Sequence, residues 1–506
     1  MNAEAKLLDV AQRRCDFHRG FLALQEEHCG WVNNIRGAIP EDLAGTLFRN
    51  GPGAMNAGAE AYGHWFDGPG MISAVTFNEG RAHFKNRYVR TPKFLSDRKL
   101  GRVSNRGFGT QIRGGIFSNL LKPLANPANT SVSWHGDKLC AFYEGGQPYR
   151  LDPHTLETEG PEFYGETLKP WTTISAHGKT HPTSGRQVNF GVNLTGIGWR
   201  GVTCALDVHD IAPDGGSARS LRIPLRSFPF LHDFALTETH ALFLVSSVDF
   251  GLTRPLLGTA TLSETLKYDP RRPMRGILVD LRELTVAREF ELPPGIVVHF
   301  ANAFDRGDEF VADFFHTEST EGFAWLDNVF AAKQATGSQL YRLRLNRLTG
   351  RTAMTPFDTA PIGEFPAWNT QQTGLPTEHC FFVGEHSGEG FFNSLVTFNT
   401  ETGACQQVDV GDHRYTSEAL FAAKSRPTSA ADGYLLAFIY DALSHRTEVQ
   451  IRDAQSPDIE YAAVLLDHHV PFGFHGHFTP ETFLTQRCFF SHKLRLNDGL
   501  ITTPPL

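Results

Sequence analysis

Apolar and polar residues alternate in short runs along most of this chain, the period of half-buried strands rather than of helices. One phrase recurs: an alternating apolar strand that ends at Asp or Asn, then a polar turn and a second short strand. It reads AVTFN to Asn78, YRLD to Asp152, CALD to Asp207, ILVD to Asp280, LRLN to Asn346, VTFN to Asn399 and QIRD to Asp453. These seven copies stand 74, 55, 73, 66, 53 and 54 residues apart. Each interval holds a four-stranded antiparallel sheet with its loops, and the regularity does not suit a string of unrelated domains. The pattern predicts an all-β, seven-bladed β-propeller occupying residues 1–506 as a single domain. Helical propensity gathers at Glu4–Glu27 and in insertions such as Pro92–Leu124 and Phe323–Ala335, and cap insertions around 92–124, 248–272 and 313–335 are expected to cover one face of the propeller.

Composition narrows the function. Hydrophobic residues make up 41% and charged residues 20%, enough to bury a large core. A formal net charge of -8 with no long Lys/Arg run offers no surface for nucleic-acid phosphates, so no nucleic-acid partner is expected. The seven cysteines are scattered without C-x-x-C spacing, which indicates neither a disulfide framework nor a thiolate zinc site. No apolar run of about 18 residues occurs, and the expectation is a cytoplasmic monomer. Of the aromatic residues 40 are Phe, against 11 Tyr and 7 Trp. Core filling accounts for any single Phe; the excess also suits an apolar substrate tunnel. The stretch GIFSNLLKPLA, with Ile116, Phe117 and Leu120, reads either as a buried cap helix or as a peripheral membrane contact.

Four histidines share a position relative to the repeat. His177 lies 25 residues after Asp152, His232 25 after Asp207, His299 19 after Asp280, and His475 22 after Asp453. Each should open the next blade, where first strands line the axis, so four imidazoles from distant parts of the chain can converge. Neutral imidazole suits iron, zinc, copper and nickel, so the ligand set alone does not name the metal. Glu364 follows Asn346 by 18 residues and Glu418 follows Asn399 by 19, which places both at axial strand starts. Carboxylates there can take the second N–H of a metal-bound imidazole. Glu144 lacks the offset and by spacing alone is a hairpin residue. His64, His181, His240, His468, His469 and His477 are assigned no role.

In order along the chain stand FRNGPG, HWFDGPGM, YEGGQPYRLD, SAHGKTHPTSG, LHDFALT, HFANAFD, GEFPAWN, SEALF and PFGFHG. Through these motifs nearly the whole chain resembles the carotenoid cleavage oxygenase family. The resemblance implies a seven-bladed propeller with a helical cap and Fe(II) on its axis, held by His177, His232, His299 and His475. It also implies outer glutamates at Glu144, Glu364 and Glu418, and it places Thr130 beside the iron, limiting access to one coordination position. Four neutral imidazoles leave octahedral Fe(II) two neighbouring positions for O2 and a nearby double bond. The implied reaction is dioxygenation of a conjugated C=C bond in a lipophilic polyene to give two carbonyl products. Pro69, Gly178, His181 and Asp305 depart from the family pattern without removing a ligand.

The run from Arg106 to Leu151 looks most like the bacterial apocarotenoid 15,15'-oxygenases, which form retinal. The lignostilbene-cleaving branch typically has a lysine near the glutamate matched by Glu144, where this chain has Tyr143. A full-length carotenoid and a stilbenoid remain alternative substrates. A metal-dependent propeller hydrolase or lactonase remains an alternative of another class, although calcium sites want oxygen ligands rather than four imidazoles.

Overall fold

The recurring Asp or Asn shapes the turn after the third strand of a blade. In the computed structural model, which describes residues 16–181, 183–198, 201–318, 337–385 and 391–485, Asp152 Oδ1 accepts the backbone N–H groups of His154 and Thr155 at 2.8 Å. Asp280 does the same for Arg282 and Glu283, Asn399 for Glu401 and Thr402, and Asp453 for Gln455 and Ser456. A short side-chain acceptor satisfies N–H groups that have left the ladder, which is why these two residue types recur there. Asn78 opens a two-residue hairpin instead, with Glu79 and Gly80 both at positive φ, 51° and 67°, the turn that matches strand twist. Asp207 departs from the expected strand end. It lies inside strand Gly201–Ile211 and pairs with Arg222 on the neighbouring strand at 2.7 Å.

The strands form a seven-bladed β-propeller. From the axis outwards, the second blade runs Ser131–His135, Lys138–Phe142, Tyr149–Leu151 and Thr158–Pro161. The third to sixth blades repeat that order, starting at Lys179–Thr180, Ala235–Leu236, Ile296–Arg306 and Gly363–Ala367. The seventh blade takes Leu420–Ala423, Gly433–Asp441, Arg446–Asp453 and Glu460–Leu465, and adds Ile35–Gly37 on its outer edge. The first blade is closed by both parts of the chain. Its innermost strand is Gly476–Thr479, followed by Gly45–Pro52, Gly70–Asn78, Arg81–Tyr88 and Cys29–Val32. An apolar layer fills each interface between blades: Val75 and Phe77 of the first meet Leu436 and Ile451 of the seventh, and Phe190 and Leu206 of the third meet Phe243 and Ile277 of the fourth. Strand alternation sends these side chains to the faces, where burying each contributes about 1.5–3 kcal/mol.

The segment expected to be helical over 92–124 contains two short helices. Pro92–Leu100 starts at Thr91, whose hydroxyl accepts the Phe94 N–H, and ends at Gly101 with φ 61°. Ile116–Asn119 is a single turn, and glycines at 107, 109, 114 and 115 punctuate the chain between the two. Within 248–272 a hairpin, Val248–Phe250 with Leu266–Tyr268, brackets the turn of helix Thr253–Leu256. Asp313–Thr317 belong to strand Glu309–Thr317 of the fifth blade. Helical expectations at residues 4–15 and 323–335 lie outside the described residues; of the first, Asp16–Phe21 is a short 3-10 helix. Among the described residues no helix is long and apolar enough to cross a membrane.

Candidate metal centre

His177 stands just before strand Lys179–Thr180, His232 just before Ala235–Leu236, and His475 just before Gly476–Thr479. His299 lies within Ile296–Arg306, where the ladder slips between Val297 and Phe300 and again before Ala303. Such irregularities re-aim a side chain that regular pleating would send to the blade interface. The four imidazoles meet. His177 Nε2 is 2.9 Å from His232 Nε2, His299 Nε2 is 3.2 Å from His475 Nε2, and one nitrogen from each ring lies within 4.8 Å of all the others. Two imidazole nitrogens at right angles around a metal, each bonded at about 2.0–2.1 Å, stand about 3 Å apart. The donor set therefore fits a single transition-metal ion.

Three of these rings rest on carboxylates through their other nitrogen. Glu144 Oε1 is 3.1 Å from His232 Nδ1, Glu364 Oε2 is 2.6 Å from His299 Nδ1, and Glu418 Oε1 is 2.8 Å from His475 Nδ1. Each contact fixes a tautomer with Nε2 free to face the centre. The glutamates are themselves held. Glu144 accepts the Ala176 N–H at 3.2 Å, Glu364 the Ser338 hydroxyl at 3.1 Å, and Glu418 the Gly476 N–H at 2.7 Å. Burial, then the repulsion of the other imidazoles and Lys179, keeps His177 well below the ordinary imidazole range; burial with His299, His232 and Arg49 does the same to His475. Both rings are neutral and keep a lone pair for a metal. Burial also opposes charge on His232, but the carboxylates of Glu144, Asp233 and Glu364 together outweigh it and the net shift is upward. Burial pushes Glu418 up to about 7 against the pull of Arg49 and the Gly476 N–H.

Sequence reasoning missed two supports. Arg49, 3% exposed, donates to the Glu418 backbone oxygen at 2.9 Å and the Phe474 oxygen at 3.0 Å, and lies 3.5 Å from Glu418 Oε2. Asp233, beside His232, pairs with buried Lys179 at 3.0 Å and accepts the Phe300 N–H at 2.8 Å. It thereby ties the third, fourth and fifth blades together next to their histidines. Both stand inside quoted motifs, FRNGPG and LHDFALT, where a charge amid apolar neighbours was the available signal. Phe365 adds an apolar wall, its ring 5.4 Å from that of His299 and 5.3 Å from that of His475. Its φ of 56° at the irregularity after Glu364, a conformation costing about 1–2 kcal/mol for a non-glycine residue, lets adjacent side chains both face the axis.

A cavity of about 490 Å³ opens on the imidazoles of His232, His299 and His475. Its walls come from the blades and from the cap segments, with Phe66, Phe108, Phe228, Phe230, Phe250 and Leu266 among them. Thr130 lines it beside His475, whose backbone N–H it accepts at 3.2 Å, and its hydroxyl donates to Asn129 Oδ1 at 3.2 Å. His64, assigned no role from sequence, also lines it. The size and apolar lining are those of a site for one small lipophilic molecule.

The family model described as RPE65, retinal pigment epithelial membrane protein, matches residues 21–480. The chain belongs to the RPE65/carotenoid oxygenase family. Like its named relatives in that family, it is an oxygenase. It is 32% identical over 478 residues to the apocarotenoid-15,15'-oxygenase of Synechocystis sp., covering 91% of this chain and 95% of the relative. To carotenoid 9,10(9',10')-cleavage dioxygenase 1 of Arabidopsis thaliana it is 29% identical over 486 residues, covering 90% and 87%. The crystal structure of cobalt-substituted Synechocystis ACO superposes with a TM-score of 0.85 at 30% identity, over 92% of this chain and 98% of that one. The carotenoid oxygenase family thus supplies the reaction class, carotenoid or apocarotenoid cleavage by dioxygenation.

Proposed function

We propose that this carotenoid oxygenase binds Fe(II) through His177, His232, His299 and His475 and cleaves an apocarotenoid at its 15,15' double bond to yield retinal. The observation that carries the reading is the convergence of four imidazole nitrogens, three on rings braced by Glu144, Glu364 and Glu418, at the wall of an apolar cavity. When bound there, Fe(II) supplies a place to take up O2 beside the polyene, whose C=C bond is replaced by two C=O bonds. The protein's own work is positional. Phe and Leu side chains hold the polyene dry and straight, and its depth of insertion selects the bond. Thr130 stands beside His475 and narrows the approach to the imidazoles. No side-chain nucleophile or general base is needed, so the three glutamates act only through the histidines.

Two observations favour an apocarotenoid over a stilbenoid. The identity to the Synechocystis apocarotenoid-15,15'-oxygenase extends over nearly the whole chain, and no lysine is among the described cavity walls to meet a substrate phenol. Delivery of so apolar a substrate fits membrane docking of a monomer through Ile116, Phe117 and Leu120. These are 51%, 91% and 39% exposed, beside Leu121 and Leu257, while Asn119 of the same turn is buried and bonds Ile112 and Gly115. The same segment continues to Leu124 in the cavity wall.

The test is to incubate iron-loaded protein aerobically with an apocarotenal, β-carotene and a hydroxystilbene separately and to identify the aldehydes. Retinal from the apocarotenal alone is expected, with about one iron per chain and neither iron nor turnover in His299→Ala. Active protein that holds stoichiometric zinc or calcium and no iron overturns the metal assignment; stilbene cleavage without retinal overturns the substrate.

A further inference from the structure

A second group of metal-binding side chains sits at the outer seam between the first and seventh blades. His28 immediately precedes Cys29–Val32, the outermost strand of the first blade, and Asp467 and His468 follow Glu460–Leu465 of the seventh. One donor atom from each lies within 4.8 Å of the other two. The His28 and His468 rings stack at 3.7 Å between centroids with 4° between planes, so one ring turns about its Cβ–Cγ bond for both to face one ion, and Asp467 Oδ1 is 2.7 Å from His468 Nδ1. His468 Nε2 is buried without a hydrogen-bond partner, so its neutral ring leaves a buried donor or acceptor unused in either tautomer.

The backbone holds the two histidines in place. Asn86 Oδ1 accepts the His28 N–H at 2.6 Å and the Asn86 N–H donates to the His28 oxygen at 3.0 Å; the Thr447 N–H donates to the His468 oxygen at 3.0 Å. The His468 ring also packs on Phe84, with centroids 5.2 Å apart. The Asp467 side chain, 86% exposed, leaves the site open to solvent on one side. Burial lowers both imidazoles, His468 to about 4 although Asp467 opposes, and His28 against Asp467 and Glu26.

We propose that His28, Asp467 and His468 form a second metal site, for a borderline transition-metal dication such as Zn2+, that staples the outer edges of the first and seventh blades together. Two imidazoles and one carboxylate are a nitrogen-rich set that suits zinc, nickel or copper and not calcium or magnesium, with a fourth position for water. The ligands come from segments near opposite ends of the described chain and meet only when the ring is closed. Binding there favours the folded state by mass action. The proposal is independent of the axial imidazoles.

Iron-loaded protein is incubated with zinc chloride, desalted, and analysed for both metals, and its thermal unfolding is recorded with and without zinc. Wild type is expected to take up about one zinc beyond its iron, with a melting temperature several degrees higher. His28→Gln and Asp467→Asn should each return zinc to background and abolish the shift, with iron unchanged. Asp467→Asn alters an exposed side chain with little change of shape, so it reads binding even if His28→Gln unfolds. No zinc on wild type, or equal zinc on wild type and Asp467→Asn, overturns the proposal.

Discussion

Replacing Arg49 by methionine should test whether the imidazole cluster depends on a buried charge that touches none of the rings. The side chain is 3% exposed, and although burial lowers its guanidinium to about 10 against the pull of Glu418, it stays cationic at pH 7. Methionine fills much of the volume and removes two carbonyl contacts, to Glu418 and Phe474, and the ion pair with Glu418 Oε2. Each carbonyl left without a donor costs about 1–3 kcal/mol. Stripping one partner from a buried pair costs about 3–5 kcal/mol. These losses overlap because Glu418 can take up a proton, so the expected destabilisation is about 3–5 kcal/mol, a factor of about 100 to 5,000 in the folding equilibrium. Urea unfolding followed by tryptophan fluorescence should show a lower midpoint with an unchanged slope. Because Glu418 orients His475 through a 2.8 Å contact, iron loss to a chelator should be about 10–100-fold faster. An Arg49→Met protein with the wild-type midpoint and wild-type iron retention would refute this reasoning and make the guanidinium a space filler.

Other consequences are checked more simply. Glu364→Gln keeps an acceptor near His299 Nδ1 but removes the negative charge, so turnover should fall about 10–100-fold with the fold intact by circular dichroism; wild-type kinetics would argue against its role. Serine at Ile116, Phe117 and Leu120 together should leave activity on detergent-solubilised substrate unchanged and reduce sedimentation with liposomes, and equal sedimentation would reject membrane docking. Asp280→Ala removes the acceptor for the Arg282 and Glu283 N–H groups and should cost about 1 kcal/mol, read as a small drop in melting temperature without loss of turnover.

The blade count was legible because turn chemistry repeats even when strand sequences do not: in most blades an Asp or Asn side chain accepts the turn N–H groups where the third strand ends. Asp207 misled on the position of one strand end, since an Asp inside a strand facing Arg222 looks the same in sequence as one that caps a turn. The convergence of the axial histidines was legible through the same spacing, as were the positions of Glu364 on a first strand and Glu418 just before one. Glu144 was not, because it reaches His232 from the loop after a second strand, and its likeness to family members carried it. The extent of the helices in the described cap segments was less legible. These segments have helical composition, but glycines limit them to the nine-residue helix Pro92–Leu100 and to single turns such as Ile116–Asn119, which is tertiary information. Arg49 and Asp233 escaped because a charge inside a motif shows nothing of its partner until blades far apart in sequence are brought side by side.

The double closure of the first blade also sets an order of events during synthesis. Gly45–Pro52 leaves the ribosome early but waits for Gly476–Thr479, its inner neighbour, until the other described strands have been made. His475 is attached to that last strand, so completing the ring and completing the set of four imidazoles are one event. A nascent or truncated chain ending before this strand presents three imidazoles and an unpaired strand edge together, the combination that invites both wrong pairing and loose, exchangeable metal. Completion of the imidazole set is thereby tied to closure of the ring of blades.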